Sequence, residues 1–306
     1  MTRFSSRSHK ASQKRLLNTL FSELSKQPKL LQLSFFWIPT LFGLLLLIGG
    51  LKYVYEVEVA RPNMAYMGVP KTQNDLQTLT HVLRNDGFML AYSEALANPV
   101  WVTYKVTPDT VPYGKRPRFE ADWRSLAHIR HSDYTGSGYD RGHMAPNYVI
   151  ASRYGFAAQK ETFLMTNITP QKPQFNQKIW QRLEEVSADF FSKQFGDFWV
   201  VTGPIFDADP KRFQKAPIAI PKAFYKIFIR PSDDGKAPVA LAFILPQTAK
   251  PKDSLLKYVT TIDAVEVQTG IDFFWQLDDA IEHSLESSQT PQAWSLSQVA
   301  NLPSRY

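Results

Sequence analysis

No cysteine occurs among the 306 residues. That absence excludes disulfides, thiolate zinc sites and thiol nucleophiles together, so any metal has to be held by oxygen or imidazole. Histidine is scarce as well, at six, which leaves few candidates for a base working near neutral pH. There is no internal repeat, so solenoids and propellers are excluded. Acidic residues are nearly missing at the start: residues 1–29 carry Arg3, Arg7, Lys10, Lys14, Arg15, Lys26 and Lys29 against Glu23 alone. The net charge of +7 belongs mainly to that segment, because the remainder holds 28 basic and 27 acidic side chains. It is poor evidence for nucleic-acid binding, and any phosphate-attracting field has to be local.

Charge is also missing from Leu30 to Leu51, where residues 41–50 read LFGLLLLIGG between Lys29 and Lys52. Twenty-two such residues are long enough to cross a bilayer as a helix. Phe35, Phe36, Trp37, Tyr53 and Tyr55 are placed as interfacial aromatics. The long basic segment and the lack of an A-x-A site after Leu51 favour an uncleaved anchor over a signal peptide. The basic excess before the run puts the N-terminus in the cytoplasm and the large C-terminal domain on the periplasmic, extracytoplasmic side. The alternative is a mitochondrial presequence, with the span in the inner membrane and the domain facing the intermembrane space.

The expected organisation is a basic tail over 1–29, an anchor over 30–52, a linker over 53–70, one domain over 71–286 and a polar tail over 287–306. Leu76, Leu79, Val82 and Leu83 predict a helix over 74–85. Residues 88–92 and 100–106 read as two strands, and 112–140 as loop. Apolar residues at Ile179, Trp180, Leu183, Val186, Phe190 and Phe191 predict a helix over 175–195, stopped by Gly196. Residues 198–202, 224–229 and 239–245 are further strands, the last two paired across a turn at 231–235. Residues 253–284 look helical in pieces. The fold class is therefore α+β.

Chemistry concentrates in Asp140-Arg141-Gly142-His143 and in the segment 167–184. His143 is suited to take a proton from water. Asn176 and Glu184, eight residues apart, sit about 80° apart on an α-helix, so one face offers an amide oxygen and a carboxylate. Mg²⁺ is often held through only one or two side chains and its waters, which suits Asn176 as direct ligand and Glu184 through water. A neighbouring guanidinium neutralises charge on a phosphoryl group. These are the parts for metal-assisted phosphodiester cleavage. Taken singly, each has a structural reading: a core histidine, a capping Asn, a surface Glu. His128 and His131 have the spacing of a zinc pair but no third ligand. Between Asp140 and Glu184 six basic residues (Arg141, Arg153, Lys160, Lys172, Lys178, Arg182) face three acids.

DRGHMAP and NITPQ…FNQ…W…LE resemble the signature of the sugar-nonspecific DNA/RNA endonuclease family, with similarity from about residue 70 to 280. The resemblance implies a ββα-metal (His-Me finger) nuclease domain, with a mixed or antiparallel sheet flanked by helices, hydrolysing DNA and RNA to 5′-phosphate ends. It implies His143 as general base, Asn176 as ligand of Mg²⁺ (with Mn²⁺ as substitute), Glu184 as the water-holding carboxylate and Arg141 as a phosphate contact. Asn167 is implied as a supporting polar residue and Asp140 as orienting the metal's water shell or the local backbone. A further family arginine precedes an aromatic-x-x-Asp run, here Phe119 to Asp122, and Arg118 is preferred over Arg116. The expected partners are DNA and RNA as substrates and a bilayer through residues 30–52; a homodimer is left open. Two rivals remain: a non-catalytic nucleic-acid-binding or uptake protein on the same fold, and a phosphodiesterase for a small substrate.

Overall fold

A computed structural model of the chain describes residues 15, 16, 18, 19, 22, 23, 26, 29–73, 78–232, 235 and 237–304, with backbone alone for 29–36. Most of the basic tail, Leu76 and the middle of the expected turn at 231–235 lie outside the described residues. The chain divides into two compact units, Met1–Val59 and Ala60–Tyr306.

The first unit is dominated by helix α1 (Lys29–Tyr55), 27 residues long with Pro39 inside it, about 40 Å at 1.5 Å per residue. Every side chain from Trp37 to Tyr55 is exposed. A stretch from Trp37 to Met64 is long and apolar enough to cross a membrane, with mean hydropathy 1.6 in its most apolar part and none of that part buried. A core helix would be buried, so that reading fails for α1.

The second unit is built on a seven-stranded antiparallel sheet. Its strands are β2 (Thr80–Arg84), β3 (Met89–Ser93), β4 (Asn98–Val106), β7 (Phe198–Ile205), β8 (Ala223–Arg230), β9 (Val239–Pro246) and β10 (Val259–Thr260), in the order β10-β9-β8-β7-β4-β3-β2. Two ribbons accompany it: β1 (Lys71–Thr72) with β11 (Ile271–Asp272), and β5 (Asp140–His143) with β6 (Ile168–Gln171). The helices are α2 (Asn147–Thr162), α3 (residues 175–195), α4 (Ile262–Thr269) and α5 (Asp279–Glu286).

Both faces of the sheet are covered, which is why β8 is buried at all eight positions. Strand alternation sends Phe224 and Phe228 into a core with Phe175, Trp180, Leu183, Phe191 and Trp294. Tyr225, Ile227 and Ile229 point the other way, onto Val265, Ile271 and Phe273. Lys226 falls on the first face, beneath α3, and is fully buried. Each aromatic buried in this way contributes roughly 1.5–3 kcal/mol.

Three expectations about boundaries and elements are corrected. Residues 80–84 form a strand rather than the end of a helix over 74–85: Thr80 to Arg84 pair with Ser93 to Met89, and Leu79 is exposed. The supposed linker is partly structural, since Met64, Ala65, Tyr66 and Val69 pack against the second core. The supposed polar tail is part of the domain, because Trp294, Leu296, Val299 and Ala300 are buried in the first core. The strands expected at 88–92, 100–106, 198–202, 224–229 and 239–245 are all present, with β8 and β9 paired as expected.

Candidate active site

The DRGH segment is β5, and its four residues pair antiparallel with β6: Asp140 with Gln171, Arg141 with Pro170, Gly142 with Thr169 and His143 with Ile168. The glycine leaves room for the buried Gln171 side chain. A Cβ on Gly142 would run into the Gln171 carboxamide. Beyond His143 the backbone is clamped by Asn167, which is fully buried. Its side chain accepts from the amide of Ala145 at 2.8 Å and donates to the carbonyls of Ala145 and Thr162 at 3.0 and 2.9 Å. The Asn167 carbonyl also accepts from Met144 at 3.0 Å. Asn167 therefore holds the chain that follows His143.

The imidazole of His143 lies 4.8 Å from the Phe163 ring and 5.5 Å from the Phe119 ring, centroid to centroid. Its Nε2 is shut off from solvent without a hydrogen-bond partner. Burial, and secondarily the positive charge of Arg116, push its pKa down to about 3, so the ring is neutral near pH 7. Phe119 is brought there by backbone pairing of Glu120 with Phe163 and Met165. Asp122 anchors the same segment, accepting from Arg124 at 2.7 Å and from Thr166 at 2.7 Å.

Arg116, not Arg118, is the upstream arginine that this arrangement brings to His143. The Arg116 guanidinium stands 5.4 Å from the Phe163 ring centre and 5.9 Å from that of Phe119. Arg118 is exposed, as Arg116 is, and makes no cation–ring contact with Phe119 or Phe163 among the described residues. Arg141 is held by the backbone carbonyl of His131 at 2.8 Å and by Thr135 at 3.2 Å. Beside that loop runs a cleft lined by Asp133, Gly136, Tyr139, Arg212, Phe213 and Lys215.

Helix α3 completes a ββα arrangement. It opens with a widened π-type turn, Phe175–Trp180, before the regular turn Gln181–Glu185. Each residue of a widened turn rotates by less than an α-helical residue does, so the separation of about 80° expected between Asn176 and Glu184 closes. Asn176 donates to Asp140 at 3.0 Å and Gln177 to the same carboxylate oxygen at 2.8 Å. The carboxylate of DRGH thus ties β5 to the start of α3 and turns the Asn176 amide so that its carbonyl oxygen is left for another partner.

Glu184 is paired with Lys226 at 3.6 Å, and the lysine ammonium lies 4.4 Å from the centre of the Trp180 ring. Burial pushes Glu184 up to about 7 although Lys226 draws it down, and burial lowers Lys226 to about 8. Glu184 Oε1 is buried without a hydrogen bond. Asn176, Asp140 and Glu184 offer oxygen donors only, one with an unsatisfied buried oxygen. That donor set fits a hard divalent cation such as Mg²⁺.

Two of the six basic residues counted near the motif are structural. Arg153 donates to the carbonyls of Thr107 and Ala188 and docks α2 on α3. Arg182 donates to the carbonyls of Leu302 and Asp253 and pins the C-terminal segment. Lys226 is the residue the sequence reading missed. A lone lysine in the run AFYKIFIR was its available signal, since a fully buried lysine needs a partner. The histidine pair at 128 and 131 forms no zinc site among the described residues, and His131 stacks on Phe119 at 5.5 Å.

The model of the DNA/RNA non-specific endonuclease family matches residues 68–280. Among curated proteins the chain is similar to nuclease C1 of Cunninghamella echinulata var. echinulata, 30% identical over 233 residues covering 68% of this chain and 90% of the relative. It is 28% identical to human mitochondrial endonuclease G over 217 residues, 65% of this chain and 71% of the relative. It is 30% identical to the Serratia marcescens nuclease over 197 residues, 61% and 72% of the two chains. Among solved structures, EndoG in its complex with the inhibitor EndoGI superposes with a TM-score of 0.60 at 23% identity, covering 72% of this chain and 93% of that one. With two thirds of the chain matched by one family model, and with the ββα frame shared with EndoG, the protein belongs to the DNA/RNA non-specific endonucleases.

Proposed function

We propose that the chain is a membrane-anchored, Mg²⁺-dependent endonuclease that hydrolyses DNA and RNA to 5′-phosphate ends with His143 as general base. The observation that carries this reading is the presence on one ββα frame of a neutral imidazole, an amide oxygen oriented by Asp140, and a carboxylate whose Oε1 is buried beside Lys226. A pure nucleic-acid binder needs none of the three.

His143 takes the proton of a water that attacks phosphorus in line with the departing 3′ oxygen. Arg116 and Arg141 both stand about 6 Å from the Phe119 ring of the imidazole cage, where guanidinium groups offset the charge gained by the phosphoryl oxygens. Asn176 would hold the cation directly and Glu184 through a water; when bound, Mg²⁺ would supply positive charge beside the scissile phosphate. Asn167 and Gly142 keep His143 in register. Contacts through arginines and lysines address the backbone rather than base edges, which accounts for broad sequence tolerance.

The anchor rests on α1, whose charged residues, Lys29 and Lys52, lie toward its two ends and whose described side chains are exposed along its apolar length. The basic residues before it place the N-terminus in the cytoplasm and the nuclease unit on the far side of the membrane. Placement outside the compartment that holds the genome protects it from cleavage without an inhibitor.

The polymer reading is tested with the full chain in detergent on supercoiled plasmid, on RNA and on a small aryl phosphodiester. Cleavage of both polymers far above the small diester is expected; the reverse ranking would make it a small-molecule phosphodiesterase. The choice of arginine is tested by substitution. Arg116→Ala should lower kcat/KM roughly 10- to 1,000-fold, in the range of lost transition-state charge stabilisation, while Arg118→Ala stays within about threefold of wild type. Equal losses would return Arg118 to the site.

A further inference from the structure

On the opposite face of the sheet from α3, helix α4 and helix α5 bring acidic residues together. Asp263, Glu266 and Glu286 each place a carboxylate oxygen within 4.8 Å of the others. Glu286 is only 8% exposed, and its Oε1 is cut off from solvent with no hydrogen-bond partner. Glu266 Oε1 accepts from the amide of Phe273 at 2.8 Å, which fixes its carboxylate against β11. Asp272 and Glu282 add further negative charge, and Lys71, its ammonium over the Trp275 ring, is the opposing cation.

Burial and then the neighbouring acids push Glu286 up to about 8 and Glu266 up to about 7. A buried carboxylate without a partner is unfavourable, and two more acids beside it compound the cost unless positive charge enters. One shared proton relieves one carboxylate. A divalent cation relieves all three. Oxygen ligands lie 2.3–2.6 Å from Ca²⁺, so two ligands of one ion are at most about 5 Å apart, and the observed clustering falls inside that limit. The donors are all carboxylate, with no imidazole, which selects a hard cation. Asp263 and Glu266 are half-exposed, leaving a path for the ion and for the waters that fill a coordination number of 6–8.

We propose that Asp263, Glu266 and Glu286 form a Ca²⁺ site, separate from the catalytic site, that ties α4 to α5. Such an ion would join α4 and α5 to the segment that follows β11, through the Glu266–Phe273 contact. The inference does not depend on the nuclease reading, because its readout is unfolding rather than cleavage.

The test uses the full chain in detergent, stripped of metal with EDTA, in wild-type form and as Asn176→Ala to exclude binding at the catalytic site. Ca²⁺ at about a hundredfold above its Kd should raise Tm by on the order of 5 °C or more in both. Glu286→Gln and Asp263→Asn should abolish the rise while retaining Mg²⁺-dependent cleavage. Asp263 is half-exposed, so its variant keeps the test informative where Glu286→Gln fails to fold. Absence of any Ca²⁺ response in Asn176→Ala, or an undiminished response in Asp263→Asn, would overturn the site. A higher Tm of metal-free Glu286→Gln, together with no Ca²⁺ response in the wild type, would assign the cluster to shared protons instead.

Discussion

Replacing His143 with alanine lowers kcat roughly 10²- to 10⁴-fold, the usual loss on removing a general base, and leaves the far-UV circular dichroism unchanged. The loss falls on kcat because the imidazole touches the attacking water rather than the bulk of the substrate. The backbone around it is held by Asn167 and by the β5–β6 pairing, neither of which uses the side chain of His143. The vacated space between Phe119 and Phe163 is shaped for an imidazole ring, so free imidazole should restore part of the rate. A variant that keeps more than a tenth of wild-type kcat would remove His143 from the role of base.

Lys226→Met shifts the acid limb of the rate profile to higher pH. The sign follows from the pair. Burial has already raised Glu184 to about 7, and Lys226 at 3.6 Å is the influence that holds it down. Without the lysine, Glu184 rises further and loses its charge at a higher pH; an opposite charge at such a distance is worth about 1–3 pKa units. Cleavage at pH 7 should fall about tenfold or more and recover toward pH 9, where Glu184 again ionises. His143 does not set this limb, since its pKa is already down at about 3. Methionine conserves the apolar stem against Trp180, and protonation of Glu184 spares the fold the cost of an unpaired buried charge. A loss of rate that is the same at every pH would show that Lys226 acts through packing alone.

The strands β3, β4, β7, β8 and β9 and the helix over 175–195 are legible because each buries a continuous apolar face with its own period. The edge strand β2 is not: Leu76, Leu79, Val82 and Leu83 carry helical spacing, and only pairing with β3 makes 80–84 a strand. The segment after residue 286 looks polar because its four core residues are spread among glutamines and serines, and only long-range packing, such as that of Trp294 on Phe191, Phe198 and Phe228, identifies them as core. At the site, His143, Asn176 and Glu184 are legible as chemistry in a short segment. Arg116 is not distinguished from Arg118 by spacing, because the selection is made by two rings, one of them, Phe163, supplied by a segment more than forty residues away. Arg153 and Arg182 look like phosphate contacts in a charge count, yet their guanidinium groups are spent on buried carbonyls.

In the proposed mechanism Asn176 holds a divalent cation on which cleavage depends. The most direct test is digestion of supercoiled plasmid and of RNA by the full chain with Mg²⁺, with EDTA, with Mn²⁺ replacing Mg²⁺, and by Asn176→Ala with Mg²⁺. Cleavage of both polymers is expected in the first and third conditions and its loss in the second and fourth. Cleavage by Asn176→Ala at the wild-type rate, or cleavage that survives EDTA, would contradict that mechanism.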